Sequence, residues 1–221
     1  MSHASILGMG LMGCDIAAIF LAGGWRVDAV ETNAAAWDKA RARVRSSLAQ
    51  LEADPERVAG LTLHSALADM PLGATDVVVE AVPERLDLKR KVFAELDRLV
   101  PPHVPVASNA SGFRITDIAR DCATRNRMAN LHFFLPAHLV PGVEVVRGEH
   151  TDPAVCDRLY DIMAALRRKP IRVQRDLPGF LANRIQHALM REAFACIDQG
   201  LASAEDVDAA VRYCFGFRYA A

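Results

Sequence analysis

Cysteine is scarce and unpatterned in this chain: five residues, Cys14, Cys122, Cys156, Cys196 and Cys214, with no CxxC pair among them. An odd, widely spaced set supports neither a disulfide framework nor a zinc site, so no metal is expected, and buried free thiols in a reducing compartment are the expectation. An excess of either charge is also lacking. The 26 Lys and Arg face 27 Asp and Glu, which leaves no basic face for a phosphodiester backbone and removes nucleic acid as an expected partner. No apolar run approaches the ~18 residues that span a bilayer, and the N-terminus has no basic stretch leading into a signal-length apolar one. A cytoplasmic protein with no membrane partner is therefore expected. Repeats and low-complexity tracts are absent. With 52% hydrophobic residues in 221, the chain has ample material for a core, enough for one large domain or one domain plus a smaller partner.

Short apolar runs alternate with amphipathic ones. Strands are expected at Ala4–Leu7, Arg26–Glu31, Leu61–Leu63, Val77–Glu80, Val104–Ala107, Met128–His132, Val143–Val146 and Ile171–Val173. Helices are expected at Met12–Ala22, Ala34–Leu51, Leu86–Val100, Ile115–Ala119 and Pro153–Leu166. This alternation predicts an α/β fold of Rossmann type, a doubly wound and mainly parallel sheet. Leu177-Pro178-Gly179 then breaks the chain, and the remaining residues read as helix only, Phe180 to about Gln199 and Ala204 to about Tyr213. Two domains are expected, 1–176 and an all-helical 177–221.

Gly8-Met9-Gly10-Leu11-Met12-Gly13 is a GxGxxG turn that follows a strand and opens a helix. Glu31 ends the next strand, twenty-three positions after Gly8. That context is the fingerprint of a dinucleotide site. Gly8 permits the tight turn, Gly10 lets the backbone approach the pyrophosphate, and Gly13 lets helix and strand pack closely. The helix start, from Leu11 and Met12 onward, offers free N–H groups and a positive dipole end to the phosphates, and Glu31 accepts from the adenosine ribose. Asp15 is discordant, because a carboxylate in this turn repels phosphate; it is expected to point away.

Further segments occur in order: Val79-Glu80-Ala81-Val82-Pro83-Glu84, Ser108-Asn109-Ala110-Ser111, His132-Phe133-Phe134-Leu135-Pro136, Val143-Glu144-Val145-Val146, and Pro178-Gly179-Phe180 with Asn183-Arg184. With them the chain resembles the L-3-hydroxyacyl-CoA dehydrogenase family over essentially its whole length. Its ending, Phe215-Gly216-Phe217-Arg218-Tyr219-Ala220, is similar to the lambda-crystallin (L-gulonate 3-dehydrogenase) branch. The resemblance implies NAD as cofactor, His132 as general base, Glu144 as its carboxylate partner, and Ser111 and Asn183 as polar contacts to the reacting oxygen. It also implies Glu84 and Lys89 beside the cofactor. Three positions depart from the family pattern: Leu135 for the usual asparagine, Gly112 for a second serine, and Gly142 for a leucine.

The chemistry has support apart from the family. Oxidising a secondary alcohol removes a hydride and a proton, and histidine suits the proton. His132 ends its strand at the edge where open α/β sheets bind ligands. The connection to the next strand contains Pro136 and Pro141 and has little room for a crossover helix, so that strand is expected to run antiparallel and to return Glu144 to the same edge. Each residue also has a plainer reading: His132 a core histidine, Glu144 a salt-bridge residue, Ser111 a turn residue, Asn183 a helix cap. His138 is a rival base. Lys39, Arg41, Arg43 and Arg45 form either a coenzyme A phosphate contact or a solvated face, the latter favoured by their alternate spacing.

Three functions compete. The first is NAD-dependent oxidation of a 3-hydroxyacyl-CoA. The second is the same chemistry on a free hydroxy acid, supported by the short stretch between Glu31 and Val77 and by the Phe-Arg-Tyr ending. The third is dinucleotide binding without turnover, which Leu135 supports. The small-molecule substrate aside, the expected partner is a second copy, a homodimer formed through the C-terminal helices. The apolar positions Leu181, Ile185, Ala188, Leu189 and Ala193 demand a covering surface, and the aromatic ending has no polar finish. The helical domain is accordingly expected to be truncated, the chain being part of a longer protein that as it stands binds NAD but turns over poorly.

Glu31 yields the first prediction. Its carboxylate repels a 2′-phosphate, and Thr32 to Trp37 supply no arginine or lysine to receive one. NAD is expected to bind more tightly than NADP when each is titrated against tryptophan fluorescence; tighter binding of NADP refutes this.

Overall fold

A computed structural model of the chain describes residues 2–220. Residues up to Phe180 form one compact unit and those from Leu181 a second. The first is built on eight strands: β1 (His3–Leu7), β2 (Arg26–Val30), β3 (Leu61–His64), β4 (Val77–Glu80), β5 (Val106–Ser108), β6 (Met128–Phe133), β7 (Gly142–Val146) and β8 (Lys169–Val173). They form one sheet in the order β3-β2-β1-β4-β5-β6-β7-β8. Neighbours are parallel except β6 and β7.

Helices cover both faces, as parallel strands require. On one side α1 (Leu11–Ala22), α2 (Trp37–Gln50) and α5 (Pro153–Ala165) pack with β1, β2, β6 and β7. On the other, α3 (Leu86–Leu99) and α4 (Ile115–Ile118) pack with β4 and β5. Strands β1, β4 and β6 are buried along their whole length, which is why they read as continuous apolar runs rather than alternating ones. In α1 every residue from Gly13 to Leu21 is buried. A helix apolar all round is enclosed on all sides, and its small residues Gly13, Ala17 and Ala18 allow the close approach.

The strand order reverses between β1 and β4, which opens a crevice at their carboxyl ends, the usual ligand position in such sheets. Gly8 leaves β1 there at φ +91°, and a Cβ on it would lie 2.8 Å from the Ala81 carbonyl oxygen at the end of β4. Only glycine fits the turn.

Several expected boundaries shift for local reasons. The fifth strand begins at Val106, not Val104, because Val104 donates to the Pro101 carbonyl in a turn and Pro105 has no N–H to give. Residues Ala34–Ala36 form a tighter 3-10 turn, capped by the Asn33 side chain, before α2 starts at Trp37. The second unit comprises α6 (Ala182–Asp198), α7 (Ala204–Ala210), a π-type turn over Val211–Phe215 and α8 (Gly216–Ala220). Helix thus continues through the aromatic ending, beyond the expected stop near Tyr213. The Ser203 hydroxyl caps α7 by accepting from the Asp206 N–H at 3.1 Å. No residue of α6 is buried, and Ile185 and Phe194 are 63% and 58% exposed. All five cysteines are free, yet only Cys14, Cys122 and Cys156 are buried, while Cys214 is exposed on the π-type turn. Among the described residues no helix is long and apolar enough to cross a membrane.

Two helices end on left-handed residues that are not glycine, Glu52 at φ +55° and Arg167 at φ +59°. Both adopt the Schellman pattern: Glu52 and Ala53 donate to Ala49 and Leu48, and Arg167 and Arg168 donate to Ala164 and Met163. Both side chains are exposed. An L-residue in this region costs roughly 1–2 kcal/mol, against roughly 0.5–1 kcal/mol for the added freedom of glycine in the unfolded chain. Arg167→Gly is therefore expected to stabilise by about 0.5–1 kcal/mol, a rise in Tm of about 1–4 °C. A fall in Tm in a thermal melt contradicts it.

Candidate active site

The glycine turn fits a dinucleotide. Gly13, the third residue of α1, is held so close to the turn that a Cβ would lie 1.8 Å from the Gly8 carbonyl oxygen, whereas a Cβ on Gly10 meets nothing within 4 Å. The space over the start of α1 is open, no side chain caps that helix, and the N–H groups from Leu11 and Met12 onward face an unobstructed approach. Glu31 comes directly after β2 and accepts from the Asn33 N–H at 3.0 Å, which orients its carboxylate. Asp15 is fully buried. It takes Arg43 at 3.0 Å, the Ser47 hydroxyl at 3.0 Å and the His138 ring at 3.1 Å, all away from the turn.

His132 and Glu144 stand directly opposite each other in the antiparallel pairing of β6 with β7. Nδ1 of His132 lies 2.8 Å from Oε2 of Glu144, and both side chains are buried. A carboxylate only accepts, so Nδ1 carries the proton, and in the neutral imidazole Nε2 is left as an acceptor. Ser111 lies 3.1 Å from Nε2 and donates its hydroxyl proton to it. Three of the expected catalytic residues thus meet: a buried carboxylate, an oriented imidazole and an exposed hydroxyl at its other nitrogen. Asn183 is the second residue of α6, in the other unit. It is not the cap of that helix, since Leu181 occupies that position.

Glu84 and Lys89 hold the turn that carries Ser111. Oε1 of Glu84 accepts from the backbone N–H groups of Ser111 at 3.0 Å and Gly112 at 2.9 Å. Oε2 of Glu84 lies 3.2 Å from Nζ of Lys89. Lys89 is only 1% exposed and donates to Glu80 at 2.7 Å, while Glu80 also accepts from Ser108 at 2.6 Å and from the Val82 N–H at 2.7 Å. Glu80 stands within a segment the sequence marks, but its role is invisible there, because its partner lies nine positions on in α3. Nor does the sequence signal the parts played by Phe134 and Phe180. Their rings lie 4.6 Å and 5.6 Å from the His132 ring.

Other candidates resolve differently. His138 is buried, its ring set between Asp15 and Gln50; it faces the packing of α1 and α2 rather than Ser111. Of the basic residues on α2, Arg41 donates to the Leu61 carbonyl, Arg43 to Asp15 and Arg45 to Glu56. Lys39 and Arg45 are exposed, as a solvated face requires, while Arg41 and Arg43 are partly buried against their partners. Leu135 is exposed. Burial pushes the Cys14 thiol, on α1 just past the glycine turn, up to about 11, so it is inert.

Burial pushes the Glu80 carboxyl above its ordinary value, and Lys89, Ser108 and Val82 pull it back. Removing one partner of a buried pair costs about 3–5 kcal/mol. Lys89→Met is expected to lose that much at pH 8 by denaturant titration. The folded chain then holds Glu80 higher still and binds more protons than the unfolded chain above the ordinary carboxylate value, so stability falls as pH rises through that window. The loss is expected to be smaller at pH 5 than at pH 8. An equal loss at both would show that Glu80 does not depend on Lys89.

This geometry has relatives. A family model described as the 3-hydroxyacyl-CoA dehydrogenase NAD binding domain matches residues 3–177, and one described as its C-terminal domain matches residues 179–221. The chain is 33% identical to the 5-formyl-3-hydroxy-2-methylpyridine 4-carboxylate 5-dehydrogenase of Mesorhizobium japonicum, over 99% of its own length and 72% of that protein. It is 37% identical to the L-carnitine dehydrogenase of Nocardiopsis dassonvillei, over 97% of its own length and 66% of that protein. The crystal structure of 3-hydroxybutyryl-CoA dehydrogenase from Escherichia coli superposes with a TM-score of 0.87 at 32% identity, covering 96% of this chain and 46% of that one. The chain belongs to the 3-hydroxyacyl-CoA dehydrogenase family, NAD-dependent oxidoreductases that act on CH–OH groups.

Proposed function

We propose that this chain oxidises the 3-hydroxy group of a 3-hydroxyacyl-CoA to the 3-oxo group, or runs the reverse reduction, with His132 as general base. The observation that carries this reading is the continuous line Ser111–His132–Glu144, with one nitrogen of a buried imidazole on a buried carboxylate and the other turned to an exposed hydroxyl. NAD, when bound, takes up the hydride. The chain's own residues handle the proton. Nε2 of His132 receives it from the substrate hydroxyl, Ser111 aligns that oxygen, and Glu144 stabilises the imidazolium that results. In the reduction the same nitrogen returns the proton. The Gly8–Gly13 turn and Glu31 hold the cofactor, and Glu84 and Lys89 fix the Ser111 turn at its side.

A second reading, a free hydroxy acid as substrate, has its own support. The guanidinium groups of Arg41 and Arg43 on α2 are engaged within the protein rather than open to coenzyme A phosphates. The names of the pyridine carboxylate and carnitine relatives point the same way. Under either reading, the exposed apolar residues of α6 support pairing of two chains through the second unit.

His132→Gln is expected to lower kcat by at least the ~10²–10⁴-fold that general base catalysis contributes, while NAD affinity, followed by fluorescence, is retained. Glu144→Gln is expected to lower kcat as well. Near-normal turnover by His132→Gln refutes the mechanism. For the substrate, kcat/KM of the full natural chain is expected to be higher with 3-hydroxybutyryl-CoA than with 3-hydroxybutyrate. The reverse order establishes the second reading.

A further inference from the structure

The two hydrogen bonds on His132 leave one freedom open. Glu144 fixes Nδ1 and Ser111 meets Nε2, but hydrogen bonds tolerate small rotations of χ1 and χ2, so the imidazole still tilts between its two partners. Two aromatic rings close that freedom. Phe134, two residues on in the same chain segment, lies with its centroid 4.6 Å from the imidazole and its plane tilted by 59°. Phe180 comes from the far end of the unit in sequence and meets the imidazole edge-on, at 5.6 Å and 61°. These separations and angles are those of favourable aromatic pairs.

Phe180 reaches this place at a backbone cost. Gly179 stands at φ +78° and Phe180 itself at φ +48°, so two consecutive residues are left-handed, the second of them large. Such a residue costs roughly 1–3 kcal/mol and persists only where its surroundings over-determine it. The surroundings here are a tight turn, with the Phe180 N–H donating to the Leu177 carbonyl at 2.9 Å, and a ring only 3% exposed. The strain turns the side chain inward at the last residue of the unit, onto the imidazole, before the chain leaves as α6.

We propose that Phe180 is a positioning residue for His132: its ring fixes the tilt of the imidazole and keeps water from the Nδ1–Glu144 hydrogen bond. This rests on the reading of His132 as the base. A planar ring is what the task requires. An aliphatic side chain of similar volume fills the space but offers no flat edge to a tilted imidazole, and it leaves the ring free to rock.

The test uses Phe180→Leu, which keeps apolar volume, and Phe180→Tyr, which keeps the ring, in the full natural chain. The first measurement needs no substrate. The Nδ1–H proton of His132, assigned with Glu144→Gln as reference, is expected as a slowly exchanging low-field NMR signal in the parent chain and in Phe180→Tyr, broadened by exchange with water in Phe180→Leu. The second is kinetic. Misplacing a reacting group by about 1 Å costs up to about 100-fold, so kcat is expected to fall about 10–100-fold in Phe180→Leu with KM for NAD unchanged, and to be restored in Phe180→Tyr. If Phe180→Leu keeps both the sharp Nδ1–H signal and the parent kcat, the ring has only a packing role and the proposal falls. If the signal broadens as expected but His132→Gln retains turnover, the positioning stands and the assignment of the base fails.

Discussion

A carboxylate with no access to water faces an imidazole across β6 and β7, and much of the active edge depends on that pairing. Glu144 cannot be buried charged without a partner that donates to it, and His132 is the partner opposite. The pairing also guards the register. A slip of β7 by one residue turns Glu144 to the other face of the sheet and takes Val143 and Val145 off the face on which they pack. The antiparallel direction of β7 is equally necessary. Only a strand that returns from the carboxyl end of β6 brings Glu144 level with His132, and that end is where the order of strands opens a crevice for ligands.

A second buried pair shapes the opposite wall. Lys89 and Glu80 neutralise each other at the end of β4, and through Glu84 the ammonium is tied to the backbone of the turn after β5. Ser111 is where the two networks join. Its backbone N–H belongs to the carboxylates on the cofactor side, and its hydroxyl belongs to His132. A hydroxyl on an exposed turn keeps a defined direction only if that turn is fixed, and two N–H groups on one carboxylate oxygen fix it. Glu84 and Lys89 thereby bear on the geometry at Nε2 from a distance.

Much of this was legible in the sequence because the signals are local. The alternation of apolar runs gives the sheet, the GxGxxG turn gives the switch point, and Pro136 and Pro141 in a short connection give the reversal of β7, which brings His132 and Glu144 together. What was not legible depends on pairs distant in sequence or on conformations without a propensity signal. Arg43 and His138 meet Asp15 from residues 28 and 123 positions away, so the basic stretch of α2 read as surface and His138 as a rival base. Phe180 read as the start of a helix, because nothing in its residue type announces a left-handed backbone or a ring turned onto His132. The last helix read as ending near Tyr213, ahead of an aromatic run with no polar finish, yet helix continues through Gly216.

Asp15 joins the helix after the glycine turn to the loop between β6 and β7. A carboxylate one turn into α1 opposes phosphate binding, and the protein resolves this by burying it against Arg43, Ser47 and His138. Its charge is answered from below, which leaves the positive end of the helix dipole unopposed at the glycine turn. The histidine that takes part belongs to the loop between β6 and β7, the loop that also carries Phe134 and Leu135. That loop is held on one side by Phe134 against the His132 imidazole and on the other by His138 between α1 and α2, and the His138 carbonyl accepts from Arg168 at 2.9 Å. The course of the loop therefore does not depend on the side chain at position 135. Leu135 stands exposed on that backbone and presents an apolar surface.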